Sequence, residues 1–275
     1  MGTSHRHKPG SIGEPNWGKA SSSLTKISKA LEELNELEYK PQQIVEQRKI
    51  QKRQSILSKR IATNYHHAVR NLVRAAGGRK LVATGGSKAL GKAGIAWAIS
   101  WSQAMQEISD QGLSAWLEKR GISSLEGKTC TQILSLIGEY IRGNIVGFDA
   151  TAAQEATSYV LDQIEKISAG ETVKLEDSIK QLLETQQIKD LIDQFFGVYI
   201  YSHLSQNFYE KLEKDKGTET INQTMSEIKD LIMDDVRRGF NGRSIEKINW
   251  NSPEAATYIS NEFERMINIF TDNED

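Results

Sequence analysis

The sequence predicts an all-α protein, a helical bundle of packed antiparallel helices with a flexible N-terminal tail. Three observations predict it. The four prolines are Pro9, Pro15, Pro41 and Pro253, so none falls between Gln42 and Ser252. Proline breaks helix interiors, and its absence permits long helices. Apolar residues recur with the 3.6-residue period of an amphipathic helix over most of that stretch. Strand signals are scarce: Lys80-Leu81-Val82-Ala83-Thr84 reads as a short strand, but it has no evident partner.

Along the chain, Ile50, Leu57, Ile61, Tyr65, Ala68 and Leu72 step by helical intervals. Tyr159, Val160, Ile164 and Ile167 line a second apolar face, and Leu175, Ile179, Leu182 and Leu183 a third. Leu191, Ile192, Phe195, Phe196, Tyr199 and Ile200 form a fourth. Ile221, Met225, Ile228, Leu231, Ile232 and Val236 form a fifth. Ser252-Pro253-Glu254 reads as a helix start, because serine caps, proline suits the first helical position and an acid suits the positive end of the dipole. Ile259, Phe263, Met266, Ile267 and Phe270 then give that helix its apolar face. Asn144–Asp149 and Lys216-Gly217-Thr218 read as connections.

Charge divides the chain. Residues 1–100 carry 18 basic and 6 acidic side chains; residues 101–275 carry 17 and 30. The net charge of −1 for 275 residues hides this split. Three zones follow: a flexible tail at 1–23, a basic helical arm with a Gly-rich end at 24–94, and an acidic helical body at 95–275. The tail is assigned from its Gly, Ser and Pro content. A hydrophobic share of 38% excludes wholesale disorder. No run reaches the roughly 20 apolar residues of a membrane span. The terminus MGTSHRHKPG lacks an apolar signal core, so a cytoplasmic location is expected. The single cysteine, Cys130, excludes an internal disulfide and argues against thiolate zinc sites.

Several motifs approach a catalytic pattern without completing it. Gly86–Ala93 reads GSKALGKA, close to a phosphate-binding loop, but Ala93 stands where a hydroxyl must hold magnesium. Gly121–Thr129 reads GISSLEGKT, with one residue too many between its glycines. Both are expected to be loops and helix ends. His66 and His67 are adjacent and diverge on a helix, and no third ligand has suitable spacing, so no metal site is expected. Asp230, Asp234 and Asp235 read as a solvated helix face. Cys130 has no histidine nearby in sequence. With no convincing catalytic constellation, the chain is not expected to be an enzyme.

The basic zone is a stronger signal. Between Lys40 and Lys92 lie 13 Lys/Arg and one acid, Glu46. Arg48, Lys49, Lys52, Arg53, Lys59, Arg60, Arg70 and Arg74 fall on one predicted helix. Such density suits phosphate contacts, an acidic protein surface, or plain solvation. Aromatics for base stacking are sparse, with Tyr65 alone in the zone, which weighs against single-strand binding.

At the start of the chain, Met1-Gly2-Thr3-Ser4 leads a polar segment. Methionine before glycine is normally removed, which exposes an unhindered amine. Arg6 occupies the position where myristoylation needs Ser or Thr. This terminus, with Val73-Arg74-Ala75-Ala76-Gly77-Gly78 at the end of a basic helix, resembles the B component of the Qat anti-phage defence system. Further agreement lies between Ser123 and Gln163, where an apolar helix precedes Phe148-Asp149-Ala150 and an Ala-rich helix. The resemblance implies a helical, non-enzymatic member of a multi-gene defence cassette. Its companions are an ATPase, a QueC-like deazapurine enzyme and a TatD-like nuclease. The resemblance further implies that the QueC-like partner joins a deazaguanine-type group to Gly2, with Thr3 and Ser4 guiding recognition. No other cofactor is expected. The alternative reading is a nucleic-acid-binding adaptor that uses residues 40–92.

Overall fold

The computed structural model describes residues 15–38, 44–122, 125–143, 147–239 and 247–271. Among these residues there are eleven helices and no strand. The all-α prediction holds. The segment read as a short strand is instead helix α3 (Arg79–Ala83). Val82 and Ala83 of this turn are buried, so its apolar content serves a helix–core contact rather than a sheet.

Helices α1 (Pro15–Glu38) and α2 (Ile44–Ala75) pack side by side. Glu33 of α1 pairs with Arg53 and Arg60 of α2, while Lys26 acts electrostatically on His67. These contacts set an antiparallel register. Leu57, Ile61, Tyr65, Ala68 and Leu72 are all buried, as their spacing predicts.

Two zone boundaries need correction. Residues 15–23 are helical rather than tail, with Ala20, Ser21 and Ser23 buried. Their small side chains let α1 approach its neighbours closely, so two of the serines that read as flexibility serve packing. Pro15 stands at the first helical position, which its fixed φ suits. The boundary at 94/95 falls within α4 (Lys92–Gln111) and separates no structural units.

Helix α4 lies in the middle of the C-terminal helices. It contacts α5 (Leu113–Glu118), α6 (Cys130–Arg142), α7 (Phe148–Ile167), α8 (Thr172–Glu184), α9 (Ile188–Lys216) and α11 (Pro253–Thr271). Antiparallel neighbours run through the rest of the bundle. Thr131 meets Glu165 between α6 and α7. Tyr159 meets Gln194, and Asp149 meets His203, between α7 and α9. Tyr209 bonds Asn222 between α9 and α10 (Thr218–Gly239). The expected connection at Lys216-Gly217-Thr218 is present as Gly217 between α9 and α10, and α11 begins at Pro253 as predicted.

Trp97, Trp116, Tyr199, Phe196, Phe263 and Phe270 are fully buried. Phe196 stacks on Phe263 with ring centroids 4.5 Å apart. Each such side chain contributes roughly 1.5–3 kcal/mol by burial. Ile167, expected on the inner face of α7, is instead 46% exposed at the last residue of the helix, while Ile164 and Ser168 beside it are buried. No helix among the described residues is long and apolar enough to cross a membrane.

Candidate functional site

The segment resembling a phosphate loop closes on a carboxylate from its own chain. Gly91 is the N-cap of α4 and has φ of 107°, a conformation that favours glycine. A Cβ there would also stand 2.3 Å from the Val82 carbonyl oxygen. No side chain of the local sequence caps α4. Its free amides turn instead to Asp149, in the first turn of α7. The Ala93 amide donates to Asp149 Oδ2 at 2.6 Å, and the Gly91 amide lies 3.3 Å from Oδ1.

Two side chains of α9 complete the arrangement. The Tyr199 hydroxyl donates to Asp149 Oδ1 and accepts from the Gly91 amide at 2.6 Å. His203 Nε2 lies 3.1 Å from the same carboxylate oxygen. Tyr199 and His203 are i, i+4 on α9, so both rings lie on one face. Gly94, further along α4, makes room for Tyr199: a Cβ there would meet its ring at 2.7 Å.

Burial alone would raise the Asp149 carboxyl, but His203, the Ala93 amide and Tyr199 together hold it below its ordinary value. Burial, then the adjacent carboxylate, push Tyr199 well above the usual phenol range, so it remains a donor. Asp149 is 8%, Tyr199 0% and His203 1% exposed. The amides that a bound phosphate would need are therefore taken by an internal anion, and the positive end of α4 is neutralised within the core. Spacing alone did not single out Tyr199 and His203. Their i, i+4 relation was the available signal, but nothing local tied it to Asp149.

The basic side chains of α2 do not form one surface. By helical spacing Arg48, Lys52 and Lys59 share a stripe, and all three are exposed. Arg74 is exposed as well. Arg53 and Arg60 belong to a neighbouring stripe and pair with Glu33. Arg70 is half-buried and bonds the Thr271 carbonyl, with Nε at 2.9 Å, and Arg79 reaches the Thr271 hydroxyl at 3.1 Å. Arg70 thus joins α2 to the end of α11. Burial first, then the neighbouring Arg70, Lys26 and His66, lower the pKa of His67.

Gly2, Thr3 and Ser4 lie outside the described residues. Asp235, read as part of a solvated face, is 3% exposed; it accepts from Tyr65 at 3.0 Å and pairs with Arg238. Cys130 is buried, 3.5 Å from the Ser168 hydroxyl. Thr129 caps α6 in a reciprocal capping box with Gln132, so the end of the second phosphate-loop-like segment is a helix start. Among the described residues no group of three or more His, Cys, Asp or Glu is placed to hold a metal ion.

No curated protein and no solved structure matches the chain. A family model described as Qat anti-phage system associated protein QatB matches residues 85–270, a span that takes in Asp149, Tyr199 and His203, and the chain belongs to that family, a component of an anti-phage defence system.

Proposed function

We propose that the chain is a non-catalytic, cytoplasmic component of the Qat defence complex whose N-terminal Gly2 accepts a deazaguanine-type group from a QueC-like partner. The observation that carries the reading is membership of the Qat family, joined to the sequence Met1-Gly2-Thr3-Ser4 ahead of the first described helix. Removal of Met1 leaves a glycine amine, and an α-amine with a pKa near about 8 is partly neutral at physiological pH. Its lone pair attacks the carbonyl carbon of an acid that the partner has activated. An amide C–N bond forms, the activating group leaves with its electron pair, and the amine nitrogen loses a proton. Thr3 and Ser4 guide recognition by the modifying enzyme. The helical body meets the ATPase and the TatD-like nuclease of the cassette.

The closed state of the Asp149 centre supports a structural rather than catalytic role for it. A Gly2→Glu variant, which retains the initiator methionine, tests the reading. In cells carrying the whole cassette it should abolish protection against phage while the protein accumulates at its usual level. Undiminished protection would contradict the proposal.

A second reading, a nucleic-acid-binding adaptor, is favoured by the exposed Arg48, Lys52 and Lys59 on a helix that carries no acid after Glu46. It requires affinity for duplex or single strands that falls steeply with salt. Binding insensitive to salt and to charge reversal at Lys52 and Lys59 would remove it.

A further inference from the structure

Between Glu46 and Glu107 the sequence holds no acid. The structure turns the start of that stretch outward. Arg48, Lys52 and Lys59 fall within about 40° of one another around α2. They stand on the side opposite the buried Leu57, Ile61 and Ala68. Along the helix axis they span about 17 Å. Lys49 is exposed on their flank. Arg53 and Arg60 mark the edge of the stripe, where Glu33 of α1 takes them up. Of the exposed residues between Gln47 and Thr63, Ile56 alone lacks a side-chain hydrogen-bond donor, and none is an acid.

This composition selects the partner. Protein interfaces rely on aromatic anchors and are depleted in lysine. This face presents lysines and no aromatic ring. Phosphates are bound by Lys and Arg, with Ser, Thr and Gln as further donors. Gln51, Ser55, Ser58 and Thr63 add those donors around the stripe. A single strand needs rings on which its bases stack. Tyr65, the first such ring after Gln47, is 1% exposed and bonds Asp235. An exposed helix face fits the B-form major groove, about 12 Å wide, whereas the major groove of duplex RNA is too narrow for side chains to read. We propose that this face of α2 binds duplex DNA through its phosphates. The proposal rests on the adaptor reading and names its ligand.

The test uses the full chain and a fluorescently labelled DNA duplex, followed by anisotropy as KCl rises from about 50 to about 200 mM. Duplex RNA, single-stranded DNA and polyglutamate of similar length serve as comparison probes. With three or four phosphates neutralised, affinity for the DNA duplex should fall with salt at a log–log slope of about −3. Lys52→Glu combined with Lys59→Glu should weaken binding about tenfold or more and flatten that slope by about two. Lys211→Glu combined with Lys214→Glu changes the net charge equally at exposed positions of α9, and should stay within about twofold. All four substitutions alter exposed side chains, and thermal unfolding checks that both variants fold. Failure to bind any nucleic acid, or polyglutamate bound as tightly as DNA, would overturn the proposal and the adaptor reading together. Single-stranded DNA or duplex RNA bound as tightly as duplex DNA, and lost with the α2 reversals, would overturn the duplex-DNA assignment alone. Equal weakening by the two pairs of reversals would overturn the assignment to α2.

Discussion

Asp149 Oδ2 accepts the backbone amide of Ala93 at 2.6 Å, although 56 residues separate them. One carboxylate from α7 thereby does what a local cap usually does for a helix, and it ties α4, α7 and α9 at a single point. Its removal leaves two amides, a phenol and an imidazole without their common partner. Asp149→Ala should destabilise the protein by about 3 kcal/mol, read as a lower urea midpoint in equilibrium unfolding. A change below about 0.5 kcal/mol would show that the centre does not hold these helices together.

The same carboxylate gives stability a pH dependence. Its folded pKa lies below its ordinary value, so the unfolded chain binds the proton first as pH falls. The stabilisation is complete above the ordinary carboxylate value of about 4 and is lost as pH drops through the lower folded value. Urea midpoints measured from pH 6 downwards should fall less steeply below about pH 4 in Asp149→Asn than in the unmodified protein. Parallel acid limbs would contradict this assignment.

Two glycines set the approach of α4 to its surroundings. At Gly91, alanine meets both the positive φ and the Val82 carbonyl oxygen; at Gly94 it meets the Tyr199 ring. Gly94→Ala should cost roughly 1–3 kcal/mol through overpacking, and Gly91→Ala at least as much. Thermal unfolding of the two variants checks this, with Gly127→Ala as a control for positive φ where a Cβ meets nothing within 4 Å.

Basic residues of α2 should separate into two classes on mutation. Arg70→Ala removes the link to Thr271 and should cost about 1–2 kcal/mol. Lys59→Ala, on an exposed face, should stay within about 0.5 kcal/mol. Denaturant unfolding of both variants distinguishes a structural arginine from a surface lysine, and equal effects would refute the division.

Local pattern carried most of the fold. The apolar steps through Ile61, Tyr65, Ala68 and Leu72 name a buried face because helical periodicity is a property of neighbouring residues, and Pro253 marks a helix start for the same reason. The start of α1 was hidden because Ala20, Ser21 and Ser23 are small enough to look like a linker while packing in the core. The Asp149 centre was hidden because its parts come from three helices, and tertiary contacts of that range leave no local period. GSKALGKA read as a loop and a helix end, and α4 does begin within it, at Lys92. That Asp149 takes its amides follows only from the packing of α7 against α4.

The central claim concerns Gly2, and intact-mass spectrometry measures it most directly. The protein is purified from cells that carry the whole cassette, and again from cells lacking the QueC-like partner. The account predicts loss of Met1 in both samples, with an added mass of a deazaguanine-type group on the N-terminal peptide in the first sample alone. A bare Gly2 terminus in cells with the complete, protective cassette would contradict it.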